Sequence, residues 1–129
     1  MALAKSFREL DVYQLALTQS KKIFLLTQRF PRDEKFSLSG QIRRSSRAVN
    51  ALVAESWARR IYRAAFVNKI DEALGEAMET QAWLDHALSC EYLDPAQHRE
   101  ADEAWQHIGA MLMRMMQEAD SFCKMAVKK

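Results

Sequence analysis

The stretch from Phe30 to Arg63, FPRDEKFSLSGQIRRSSRAVNALVAESWARRIYR, decides how this chain folds, because it holds a turn, an amphipathic helix and a dense group of basic residues. Pro31 disfavours helical geometry at Phe30, so a preceding helix has to end there. Asp33 and Ser37 are candidate N-caps for the helix that follows. Leu38, Ile42, Ser45, Val49, Leu52 and Ser56 then recur at spacings of four and three, the inner seam of a helix. The seam is rich in small residues, which lets neighbouring helices approach closely. With no Gly or Pro before Arg60 to stop it, the spacing predicts a helix over residues 34–60.

The same periodicity extends in both directions. Upstream, Val12, Ala16, Gln19, Ile23, Leu26 and Phe30 alternate by four and three and predict a first helix over 10–29. Downstream, Phe66, Ile70, Ala73, Ala77, Leu84 and Leu88 predict a third over 62–90. Gly75 lies inside it at a cost of about 1 kcal/mol relative to Ala, which a close helix crossing would explain. Asp94 followed by Pro95 reads as an N-cap with proline at the first helical position. Ala101, Trp105, Ile108, Leu112, Met115, Ala119, Phe122 and Ala126 then predict an unbroken fourth helix over 95–125.

Four such helices joined by short turns imply an all-α fold, an antiparallel up-and-down four-helix bundle, as one domain over residues 1–129. Three Gly and two Pro leave few places to turn. No apolar run approaches the roughly 20 residues that span a bilayer, and the start, MALAKSFREL, lacks the apolar core of a signal peptide, so no membrane and a cytoplasmic location are expected. Tyr13, Leu17 and Phe24 on helix one, and Met111, Met113, Met116 and Met125 on helix four, lie off the seams. Apolar arcs this wide predict a homo-oligomer.

Charge is divided unevenly along the chain. Arg29 to Lys69 holds ten basic residues against Asp33, Glu34 and Glu55, a net of +7, whereas Ile70 to Asp120 holds twelve acidic residues against Arg99 and Arg114, a net of −10. The formal total of +2 hides this asymmetry. Either the halves neutralise each other in the bundle or an assembly, or the basic face meets a polyanion.

The order of signals resembles a known family. F-R-E-L-D-V-Y-Q-L-A is followed by F-P-R-D-E-K-F-S-L-S-G-Q-I-R-R-S-S, then by V-A-E-S, then by A-A-F-V-N-K-I-D-E-A-L-G-E-A-M-E-T-Q-A-W-L and E-Y-L. This is similar to the small four-helix bundle proteins encoded in intervening sequences of bacterial 23S ribosomal RNA genes, over nearly the whole chain to about Leu93. Many relatives read Asn-Ile-Ala-Glu-Gly where Leu52, Val53, Ala54, Glu55 and Ser56 stand here. The resemblance implies an antiparallel bundle assembled as a five-membered homo-oligomeric ring, with no enzymatic activity. A related branch serves as an accessory to reverse transcriptases in diversity-generating retroelements.

Arg43, Arg44 and Arg47, with Arg59, Arg60 and Arg63 beyond, form the leading candidate site, for nucleic acid. Arg43 and Arg47 share a helix face, and Arg44 lies about 100° round from Arg43. The planar fork of arginine donates two parallel hydrogen bonds to phosphate. No base-reading motif accompanies them, so low-specificity contact with structured RNA is expected rather than sequence readout. The competing reading pairs these arginines with the acidic residues of helices three and four, and a protein-interaction adaptor facing an acidic protein follows from that. Trp57, Tyr62 and Phe66 lie near the second cluster and could stack on single strands, or pack where helices two and three meet. Glu55, Gln19, Gln41 and Gln81 look buried and would fix register.

Catalysis finds little support. A di-metal bundle site needs repeated Glu-x-x-His pairs, and none occurs. His86, His98 and His107 have carboxylates near them, including Asp85 and Glu103, without repetition on a second helix. Cys90 and Cys123 lack the context of activated thiolates. No catalytic residue, cofactor or metal is expected.

Overall fold

The computed structural model describes residues 4–127, with side-chain packing as far as Cys123. A 3-10 turn, Phe7–Glu9, leads into α1, Asp11–Thr27. The Ser6 side chain accepts from the Arg8 amide at 3.1 Å to cap that turn, and the Phe7 ring meets Tyr13 edge-on at 5.0 Å. Four further α-helices follow: α2 Leu38–Ala58, α3 Arg63–Ser89, α4 Pro95–Gln117 and α5 Ala119–Val127. Among the described residues there is no strand.

α2 begins four residues later than the periodicity predicts, because Arg32–Glu34 forms its own 3-10 turn. The cap is neither of the expected ones. Glu34 reaches forward, its carboxylate accepting from the Ser37 hydroxyl at 2.7 Å and the Leu38 amide at 3.3 Å, while Ser37 makes no side-chain cap. The turn is tight enough to require glycine at position 40, where a Cβ would lie 2.9 Å from the Lys35 carbonyl oxygen. At α4 the expected cap is present in full. Asp94 accepts from the Gln97 amide at 2.7 Å, and the Gln97 side chain accepts from the Asp94 amide at 2.9 Å.

Interhelical bonds set an antiparallel register. Asn50, Ser46 and Arg43 of α2 meet Tyr13, Ser20 and Thr27 of α1 in reverse order, at 2.9, 3.1 and 2.7 Å. On the other side of α2, Ser45 and Thr80 of α3 share a buried hydroxyl bond of 2.8 Å. Only side chains this small leave the two helices near enough for that bond. α4 returns along α3, so that Leu74, Gln81 and Asp85 face Gly109, Asp102 and His98. α1 and α4 close the bundle.

The four expected seams form its core. Ile23, Ile42, Val49, Phe66, Ile70, Leu84, Trp105, Ile108 and Leu112 are essentially inaccessible to solvent. Val53 joins them, although it lies beside rather than on the α2 seam, and Ala87 replaces the half-buried Leu88 on α3. Leu52, Gln19 and Leu26 are half-buried at the seam edges. Ala126 and Met125 lie outside the described side chains.

Four expectations need correction. The fourth helix breaks at Glu118, whose backbone leaves helical geometry at φ −102°, ψ 22°. The expected seam holds as far as Met115 and Ala119, both buried, but past the break Cys123 is buried in place of the half-buried Phe122, and the bend turns α5 onto the start of α3, where Phe122 stacks on Phe66 at 5.6 Å. Gly75 serves no crossing: it is exposed and a Cβ there would touch nothing. At buried Gly109, by contrast, an added Cβ would lie 3.4 Å from Leu74 Cδ1. Glu55 and Gln41 are exposed rather than buried, since they point away from the seam that Ser45, Ser56 and Thr80 occupy.

A candidate basic interface divided into three

α2 presents its arginines on different sides because successive residues on a helix are rotated by about 100°. Arg43 and Arg47, one turn apart, face α1. Both guanidinium groups lie over the Phe24 ring, at 4.8 and 5.8 Å from its centroid, a cation–π arrangement. Arg43 is half-buried and also donates from Nε to Thr27 Oγ1 at 2.7 Å. Arg47 is exposed, and with Lys21, Leu17, Ser20, Phe24 and Asn50 it lines a shallow cleft of about 400 Å³. Asn50 Nδ2 donates to the Tyr13 carbonyl at 2.9 Å, while its buried Oδ1 has no hydrogen-bond partner.

Arg44 faces the other way, toward α3. Its guanidinium bridges Glu76, at 3.2 Å, and Glu79, and its Nε donates to Gln41 at 3.2 Å. The acidic half of the chain therefore pairs with this arginine on the surface of the bundle.

The remaining three gather at the α2–α3 turn, and Arg59 is twelve residues from Arg47, or about 18 Å along the helix axis. Arg60 stacks on the Trp57 ring at 3.6 Å and donates to the Trp57 carbonyl at 2.8 Å. Burial draws its pKa below the ordinary arginine value, with the charge kept. Arg63 is bound to Asp120 of α5 at 2.6 Å. Arg59 is exposed, with no ion pair among the described residues. Trp57 packs half-buried and Phe66 is in the core, but Tyr62 is 67% exposed and does not fill the junction of α2 and α3.

Thus the six arginines form not one surface but an open group on Phe24, a paired Arg44, and a turn cluster in which Arg63 is paired. Two contributors were not singled out with them: Phe24, visible in the sequence only as an off-seam aromatic, and Lys21, which the helical spacing places one turn before Leu25 and beside Phe24. Cys90 is exposed, and burial raises the pKa of Cys123 above its ordinary value. At the far end of α3 and α4, Asp85, His98 and Asp102 come together as the one cluster of three or more metal-type donors among the described residues. Among the same residues no helix is long and apolar enough to cross a membrane.

An antiparallel helical bundle with a basic second helix partly balanced by acidic partners is what the fold and site define. The model of the 23S rRNA-intervening sequence protein family matches residues 8–114, and the chain belongs to that family. The match runs past Leu93, where the sequence resemblance stopped, through most of α4. The crystal structure of a protein of unknown function from the S23 ribosomal protein family of Bacteroides thetaiotaomicron is similar, with a TM-score of 0.73 and 28% identity over 81% of this chain and 97% of that one. No curated protein matches.

Proposed function

We propose that this chain is a non-enzymatic, self-associating bundle protein that binds nucleic acid, structured RNA in particular, with low sequence specificity. The observation that carries the reading is the group on Phe24. Arg43, Arg47 and Lys21 have no carboxylate within ion-pairing distance among the described residues, whereas Arg44 and Arg63 do. Arginines stacked on an aromatic ring hold their forks ready for phosphate, and Arg59 adds a second contact farther along α2. Self-association rests on exposed apolar side chains outside the Phe24 cleft, Leu25 at 51% and Met113 at 47%. A ring, five-membered by family resemblance, would repeat the basic group and add avidity.

The test is fluorescence anisotropy with a labelled structured RNA across a salt series. Binding should weaken with a log-log slope of about −0.7 to −0.9 per phosphate contacted. Charge reversal by Lys21→Glu and Arg47→Glu should abolish it while native mass stays unchanged. Absence of binding at low salt would overturn the reading and favour the alternative, a protein-interaction adaptor whose basic group meets an acidic protein. A monodisperse particle near the chain mass of 14.9 kDa at micromolar concentration would overturn self-association.

A further inference from the structure

Far from the basic group, the α3–α4 hairpin builds a second constellation. Asp85 from the last turns of α3, and His98 and Asp102 from the first turns of α4, bring one imidazole nitrogen and two carboxylate oxygens within 4.8 Å of one another. Helix geometry dictates the meeting. His98 and Asp102 are four residues apart and share one face of α4, Gln81 and Asp85 are four apart on α3, and the antiparallel register sets pair against pair. His98 Nε2 lies 2.8 Å from Asp85 Oδ1, and Gln81 Nε2 donates to Asp102 Oδ1 at 3.1 Å. The His98 side chain is only 18% exposed, so the imidazole is held in the groove between the helices, whereas Asp85 at 71% leaves an open path from solvent.

We propose that Asp85, His98 and Asp102 form a binding site for a divalent first-row transition ion of the zinc type, which clamps α3 to α4. The donor set selects the class. An imidazole suits zinc, cobalt or nickel and disfavours magnesium and calcium, and two carboxylates balance the double charge. Around a tetrahedral ion with bonds of about 2.0–2.2 Å the donors stand roughly 3.4 Å apart. The His98–Asp85 pair at 2.8 Å therefore opens slightly and Asp102 closes, within the reach of carboxylate rotation. Rotation of the Gln81 amide offers its oxygen for the fourth position, and water is the other candidate. The ion replaces the His98–Asp85 hydrogen bond as the link between the helices, and no reaction is assigned to it.

The full chain, free of any histidine tag and stripped with a chelator, is titrated with Zn²⁺ by calorimetry and with Co²⁺ by visible absorption. One ion per chain is expected, and Zn²⁺ should raise the thermal midpoint of unfolding. His98→Ala removes a ligand and should weaken Zn²⁺ binding by about 10- to 100-fold or more, at least the cost of losing an outer-shell partner. Asp102→Asn keeps the side-chain shape and should weaken it as well, which preserves the test should His98→Ala fold poorly. His86→Ala and His107→Ala should leave affinity unchanged. Binding below one ion per chain, equal affinity in His98→Ala and the parent chain, or an equal loss in His107→Ala would each overturn the proposal.

Discussion

The Tyr92 hydroxyl donates to the Glu34 carboxylate at 2.8 Å and so ties the α1–α2 turn to the α3–α4 turn, fifty-eight residues away in sequence. Further contacts reinforce the link, since the Tyr92 ring packs on Phe30 at 5.3 Å and Glu34 also caps α2. One side chain therefore organises a helix start and closes one end of the bundle.

This pair predicts a pH dependence. The bonds from Ser37 and Tyr92 hold the Glu34 carboxyl below its ordinary value. A depressed carboxyl contributes stability above its unfolded pKa and loses it as pH falls through the folded one. The Glu34 bond pushes Tyr92 up to about 12, so the phenol's contribution is complete below its unfolded value and is lost as pH rises through about 12. Thermal midpoints measured against pH should show both limbs in the parent chain. Tyr92→Phe should flatten the alkaline limb and shrink the acid one, and phenolate absorbance should show one tyrosine titrating near 12 that this variant lacks.

Pairing within the chain separates arginines that the sequence presents as equals. Arg44→Ala should leave RNA binding unchanged, because Glu76 and Glu79 already hold that guanidinium. Arg47→Ala should weaken binding at every salt concentration and reduce the log-log slope by about 0.7 to 0.9, the share of one phosphate. Equal losses in the two variants would argue that Arg44 leaves its acidic partners to bind RNA.

The three glycines should respond differently to alanine. Gly75 is exposed in mid-helix with free space around it, so Gly75→Ala should stabilise by about 0.5–1 kcal/mol. Gly40→Ala should destabilise, since its Cβ would press on the Lys35 carbonyl at 2.9 Å and backbone cannot give way cheaply. Gly109→Ala should gain less than Gly75→Ala, because the new methyl meets Leu74 Cδ1 at 3.4 Å. Urea denaturation midpoints at constant slope would rank them.

Trp105 is the largest fully buried side chain, and its indole N–H has no hydrogen-bond partner. Trp105→Ala should cost about 3–5 kcal/mol through the cavity it leaves. Trp105→Phe should cost distinctly less than that, because it keeps most of the packing and removes the unpaired donor. Equal losses would mean the indole nitrogen is bonded in solution, for example to a buried water.

Periodicity alone was enough for the four long helices and nearly all of their inward residues, because each seam from Val12 to Ala119 had to repeat every three or four residues to reach one core. Pro31, Asp94 and Pro95 marked two of the turns by local backbone chemistry. Other features depended on which helix lies beside which. The break at Glu118 has no Gly or Pro to announce it, and it becomes intelligible only with Phe122 on Phe66 and Asp120 on Arg63. Glu34 reads as one acid among several until Tyr92 arrives from the opposite turn. Arg44 differs from Arg47 only because α3 sets Glu76 and Glu79 against one side of α2, while α1 sets Phe24 against the other. Asp85, His98 and Asp102 meet through the α3–α4 register, which no spacing along one helix encodes. Repeating patterns within a segment record burial, so the sequence was sufficient for them; pairings between segments depend on helix order and register, and only the tertiary structure decided those.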